Sequence, residues 1–245
     1  MNAIADNSFT RTLKKLGPEL ETPRAILMVS AHWQTAGTFV TSTAEPKTIY
    51  DMSGFPDELY QVKYPAPGDP KLAAEIQQLV SSPQILLDEG SWGLDHGTWS
   101  VLVHLFPKAN IPVLQLSLDR AASPQAHFEL GQKLRTLRQQ GILILGSGNV
   151  VHNLRKISWE ETATPFSWAV EFSQWFEQQL AQRNFSALIN DFRQTETGRL
   201  SVPTLEHYLP SLYILGAAED SETAKLEFTE IQNGSIAMTS FSFGR

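Results

Sequence analysis

Ala25-Ile26-Leu27-Met28-Val29-Ser30 is the stretch from which the fold is read. It carries no charge and only one polar side chain, at its end. The run is short for a helix and too apolar for a strand with one face in water. It fits a strand buried on both faces, as in a parallel sheet covered by helices on either side. Residues 37–42, 113–118 and 142–145 repeat the pattern, and 84–87 is a shorter version.

Helical patterns lie between these runs. Residues 8–16 follow a capping Asn7 or Ser8. Pro70 opens a helix with Leu72, Ile76, Leu79 and Val80 on one face. Residues 99–106 read as helical and stop before Pro107. Ser123 or Pro124 begins a helix with Leu130, Leu134 and Leu137 in phase, ended at Gly141. Trp168, Phe172, Trp175 and Phe176 form an aromatic stripe at helical spacing, expected in the core. Leu205, Tyr208, Leu209 and Leu212 form another apolar face. Residues 225–231 and 235–243 alternate like a closing antiparallel hairpin around Asn233-Gly234. Strands alternating with helices predict an α/β fold: a single domain over 1–245, with a mostly parallel central sheet and helices on both faces. The Pro- and Gly-rich residues 54–70 read as a functional loop within it.

Composition bounds the function. Of the 245 residues 42% are apolar and 18% charged, which supports a sizeable core and excludes wholesale disorder. Cysteine is absent, which excludes a disulfide scaffold, a thiolate metal site and a cysteine nucleophile. The net charge of -7 speaks against nucleic acid or an anionic membrane as partner. No apolar run approaches the roughly 20 residues of a membrane span, and Met1 to Phe9 lack the features of a signal peptide, so a cytoplasmic protein is expected. Nothing identifies a protein partner. Gly146-Ser147-Gly148 is not a nucleophile elbow, because Leu145 and Asn149 stand where that motif requires glycines.

Six histidines remain: His32, His96, His104, His127, His152 and His207. His32 follows the first buried run and His152 follows the run 142–145 by a glycine-containing turn. In open α/β sheets ligands bind outside the carboxyl ends of the strands, where both are expected. His96 lies in Gly93-Leu94-Asp95-His96-Gly97 and His207 in Glu206-His207-Tyr208-Leu209-Pro210, each near a helix start. Four histidines on one face would suit zinc or iron with acid/base partners. Each taken singly is also an ordinary hydrogen-bonded loop residue. Asp95 or Glu206 could add a carboxylate ligand, or simply orient a neighbour. His104 and His127 fall in helices and are expected to be structural.

Five motifs, in this order, carry a resemblance: Ser30-Ala31-His32-Trp33, Tyr64-Pro65-Ala66-Pro67-Gly68, Gly93-Leu94-Asp95-His96-Gly97, Gly148-Asn149-Val150-Val151-His152-Asn153 and Glu206-His207-Tyr208-Leu209-Pro210. Over nearly its whole length the chain resembles the class III extradiol ring-cleavage dioxygenases, of the 4,5-DOPA dioxygenase type (the LigB-like family). The resemblance implies a single α/β domain and an enzyme that opens a catechol ring with O2 to give a muconic semialdehyde. It implies His32 and His207 as metal ligands. His152 is treated as a catalytic acid/base in some members and as a metal ligand in others. His96 is implied as a second catalytic histidine that hydrogen-bonds to developing negative charge. Non-haem Fe(II) is the expected cofactor, with Zn(II) readily occupying the site, although zinc lacks the redox chemistry. The family pattern also has a first strand followed by His-Gly-Ser-Pro, with a further ligand. This sequence lacks that motif, so one strand and one ligand of the pattern are expected to be missing. A start placed downstream of the natural one, or a shortened metal-poor chain, would account for it. A zinc hydrolase and a non-catalytic protein-binding relative of the fold are the alternative functions. Arg155 is a candidate for a substrate carboxylate, but its expected role is a structural ion pair.

Overall fold

The computed structural model describes residues 2–160 and 162–244. In chain order the elements are α1 (Ser8–Glu19), β1 (Ala25–Thr35), β2 (Thr38–Thr41), α2 (Pro70–Leu79), β3 (Ile85–Asp88), α3 (His96–Leu105), β4 (Val113–Asp119), α4 (Pro124–Leu134) and β5 (Ile142–Ser147). They are followed by α5 (Ser167–Ala181), α6 (Phe185–Asn190), α7 (Glu196–Ser201), α8 (Leu209–Ala217), β6 (Lys225–Phe228), β7 (Ile231–Gln232), β8 (Ile236–Ala237) and β9 (Ser240–Ser242).

Five strands form the central sheet in the order β3-β2-β4-β1-β5. The pairs β1/β4, β1/β5 and β2/β3 are parallel. β2 meets β4 antiparallel, through Val40 opposite Leu116. The cause is the short link from Thr35 to Thr38, since a parallel crossover needs a dozen residues or more. The sheet is thus mostly parallel, with one reversed contact.

The run 25–30 is fully buried and lies at the heart of this sheet. Its alternate residues serve two cores. Ala25, Leu27 and Val29 join Leu130, Leu134, Leu212 and Tyr213, from α4 and α8. Ile26 and Met28 join Phe9, Leu13, Trp99 and Leu102, from α1 and α3. Each such aliphatic side chain, fully removed from water, contributes roughly 1.5–3 kcal/mol of transfer free energy. The aromatic stripe of α5 packs as expected: Phe172 and Phe176 are buried, with Trp168 and Trp175 against them.

Two sequence expectations need correction. β1 does not end before His32 but runs on to Thr35, and its pairing with β4 shifts register between Val29 and Gln34. The closing hairpin is divided into two short ladders, β6 with β9 and β7 with β8. Asn233 and Gly234 do form its turn, both at positive φ (54° and 73°).

β5 borders the sheet, and its outer side pairs with no strand among the described residues. A groove of about 650 Å³ runs along it, walled by Leu13 and Leu16 of α1, Val101 of α3 and Ile214 of α8. No helix among the described residues is long and apolar enough to cross a membrane.

Candidate metal centre

Each of the four loop histidines is held by a local device that the sequence explains. His32 projects from the extended end of β1. His96 opens α3, whose N-cap is Asp95. A Cβ on Gly97 would lie 2.5 Å from Ser30 Oγ and 2.9 Å from His32 Cδ2, so the missing side chain is what lets α3 approach His32. The segment 148–153 is a plug with two fasteners. Val150 and Val151 are buried in the core. Asn149 Nδ2 donates to the Ala237 carbonyl (2.8 Å) and Asn153 Nδ2 to that of Leu200 (2.7 Å). His152 sits between the fasteners, its backbone N–H on the Ser201 carbonyl at 2.9 Å. His207 is drawn to the same place by its own carbonyl, which accepts the Asn149 N–H at 2.9 Å. A Cβ on Gly148 would stand 2.2 Å from that carbonyl oxygen.

The four rings form a chain. His96 and His32 have centroids 3.8 Å apart. His32 meets His207 edge-on at 5.2 Å, and His207 stacks on His152 at 3.5 Å. Ligand-capable atoms fall into two adjacent groups at metal-binding spacing: His32, Asp51 and His96, and His152, Glu206 and His207. The sequence-predicted ligands His32, His152 and His207 are therefore divided between the groups but line one continuous patch.

The patch favours neutral imidazoles. Burial pushes His152 down to about 4, a nearby Glu206 charge only partly opposing it. Burial also pulls His207 well below the ordinary histidine range, reinforced by His152, His32 and His96. His32 is lowered by burial and by His96, against the pull of Asp95, Asp51 and Glu206. Unprotonated rings carry the lone pairs a metal needs. His207 Nδ1 is moreover buried with no hydrogen-bond partner. An orphaned imidazole nitrogen among neutral neighbours and carboxylates fits a first-row divalent metal, and its donor set suits iron or zinc.

The structure separates the two carboxylates flagged by adjacency. Asp95 is fully buried and consumed. Its Oδ1 accepts from Ser30 Oγ and the Thr98 N–H, and its Oδ2 from Gln115 Nε2 and Trp92 Nε1. It is a cap, not a ligand. Glu206 does stand with His152 and His207. The carboxylate that sequence reasoning missed is Asp51, beside both His32 and His96. Burial raises its carboxyl, but hydrogen bonding from His96 outweighs this and holds it below the ordinary value. His104 and His127 are structural, as expected. His104 Nε2 meets the Asn2 carbonyl, and His127 Nδ1 the Tyr213 hydroxyl, both at 2.9 Å. Arg155 forms no ion pair among the described residues. It is exposed.

Comparison with known proteins converges on one family. Residues 3–241 match the family described as the catalytic LigB subunit of aromatic ring-opening dioxygenase. The chain is 44% identical to the 4,5-DOPA dioxygenase extradiol of Escherichia coli (strain K12), over 100% of this chain and 91% of the relative. It is 35% identical to the 4,5-DOPA dioxygenase extradiol of Portulaca grandiflora, over 98% and 91% respectively. The crystal structure of the uncharacterized protein JW3007 from Escherichia coli K12 superposes with a TM-score of 0.85 at 41% identity, covering 97% of this chain and 93% of that one.

Proposed function

The chain belongs to the LigB family of aromatic ring-opening dioxygenases, and from that premise we propose that it cleaves a DOPA-like catechol in the extradiol mode, with ferrous iron as its metal. The observation that carries the reading is the continuous patch of His96, His32, His207 and His152, with an orphaned Nδ1 on His207. His32 and His207 are the proposed iron ligands, with His152 stacked beside them. When bound, ferrous iron supplies the redox chemistry that zinc lacks and brings catechol and dioxygen together.

The protein's own groups do the proton work. His152 is unprotonated at neutral pH, so it can accept a proton from a catechol hydroxyl and later return it. The nearby Glu206 charge favours the imidazolium while the proton is held. His96, at the other end of the patch, would hydrogen-bond to negative charge that develops on oxygen once its Nε2 has taken up a proton from the second catechol hydroxyl. The product would be a muconic semialdehyde.

The test is oxygen uptake by the chain loaded anaerobically with Fe(II) and then offered DOPA, with iron measured in the same sample. The expected result is uptake and a yellow ring-opened product. The sequence has no His-Gly-Ser-Pro motif, so the assay also shows whether these four histidines suffice. Stoichiometric iron without uptake would overturn the reading. Zinc-dependent ester or amide turnover without oxygen consumption would replace it with a hydrolase.

A further inference from the structure

We propose that Asp51 is a positioning residue: one carboxylate that fixes the proton on Nδ1 of both His32 and His96, leaving Nε2 of each ring as its working nitrogen. Asp51 Oδ1 lies 2.9 Å from His96 Nδ1, and Oδ2 lies 3.3 Å from His32 Nδ1. The backbone N–H of His96 also donates to Oδ1, at 2.8 Å, which ties the carboxylate to the first turn of α3. Asp51 is itself largely buried, with its side chain 15% exposed.

The chemistry follows from what each ring nitrogen would present. A neutral imidazole has one N–H and one lone pair. A lone pair turned toward a carboxylate oxygen at these distances repels it, whereas an N–H there is attracted. The His96 contact is off the line of a good hydrogen bond, since Nδ1 lacks a partner by geometry while standing 2.9 Å from Oδ1. Misalignment weakens the attraction without changing its sign. Both rings are therefore biased to the same tautomer by the same group. One ring belongs to the proposed metal site and the other to the proposed oxygen pocket. Histidine ligands of metals commonly donate their second N–H to a carboxylate or carbonyl, and loss of that acceptor typically weakens metal binding 10–100-fold.

The use of Asp51 rests on the proposed iron centre, but its test does not. Histidine is labelled with 15N, and spectra are recorded on metal-free protein without substrate. His32 and His96 are expected as Nδ1–H forms in the wild type. In D51A both should move toward Nε2–H, and zinc affinity should fall 10–100-fold. D51N has the same shape but one acceptor oxygen where the carboxylate has two, so at most one ring should keep its Nδ1 proton. Unchanged tautomers in D51N, which preserves the packing, would overturn the proposal. So would a zinc-induced shift at Nδ1 of either ring, because Asp51 would then share the metal instead of orienting the rings. If the tautomers respond but the iron-loaded protein consumes no oxygen, the positioning role stands and the dioxygenase reading falls.

Discussion

His152 and His207 lie ring on ring, with centroids 3.5 Å apart and planes 11° from parallel. Charge on one ring opposes charge on the other, so the pair stays neutral and keeps its lone pairs. His207 is the more deeply buried and holds the nitrogen without a partner. H207Q should therefore weaken Fe(II) or Zn(II) binding by more than about tenfold, taking the effect of an outer-shell loss as the lower bound. Equilibrium dialysis of the variant against zinc checks this, and unchanged affinity would remove His207 from the ligand set.

H152Q separates the two roles implied for His152. As acid/base, the variant keeps its iron and loses turnover by about 10²–10⁴-fold. As ligand, it loses iron and turnover together. The proposed mechanism expects the first, and iron content measured beside oxygen uptake decides it.

Gly148 tests how His207 is placed. A methyl group there would stand 2.2 Å from the His207 carbonyl oxygen, so the backbone must yield. G148A should cost roughly 1–3 kcal/mol of stability, the usual penalty for forcing bulk into a packed site. It should also lower metal affinity, because the displaced segment carries His207. Urea denaturation and zinc titration of the same sample measure both. A variant as stable as wild type with full zinc affinity would show that this contact does not position the ring.

His127 makes a prediction about acid. Burial pushes it down to about 4, against an ordinary value of 6.5. Above pH 6.5 neither folded nor unfolded protein protonates it, and its contribution is complete. Between pH 6.5 and 4 the unfolded chain takes up a proton that the folded one refuses, so stability falls, by about 3 kcal/mol in all. H127N removes this titration but leaves a polar partner for Tyr213. The stability gap between wild type and H127N should therefore shrink from pH 7 to pH 4.5. Urea unfolding at the two pH values measures it, and a constant gap would contradict the assignment.

Much of this was legible in the chain itself. The run 25–30 gave away a doubly buried strand because both faces had to be apolar, and the alternation between two cores is that requirement realised. The four histidines were visible because each follows a buried run or stands near a helix start in the sequence, although His32 lies within β1 rather than beyond it. Asp51 was not, because nothing in its neighbourhood marks it, and His96 is 45 residues away along the chain. Asp95 was flagged for the opposite reason: adjacency to His96 suggested shared chemistry, whereas the first turn of a helix needs a cap, and that need claimed the side chain. The reversed β2 was concealed likewise, since apolar alternation reports burial but not direction.

The open side of β5 has a consequence for how the sheet breathes. An interior-type strand ordinarily has neighbours on both sides, yet here one row of its amides faces the groove, which reaches as far as His207. Solvent exchange should thus enter the sheet beside the metal centre rather than at the short β3 border. The amides of Ile144 and Gly146, which point away from β1, would then trade hydrogen for deuterium sooner than those of Leu27 and Val29 on β1. The rigid middle of the molecule and its chemically active end would share a boundary with water.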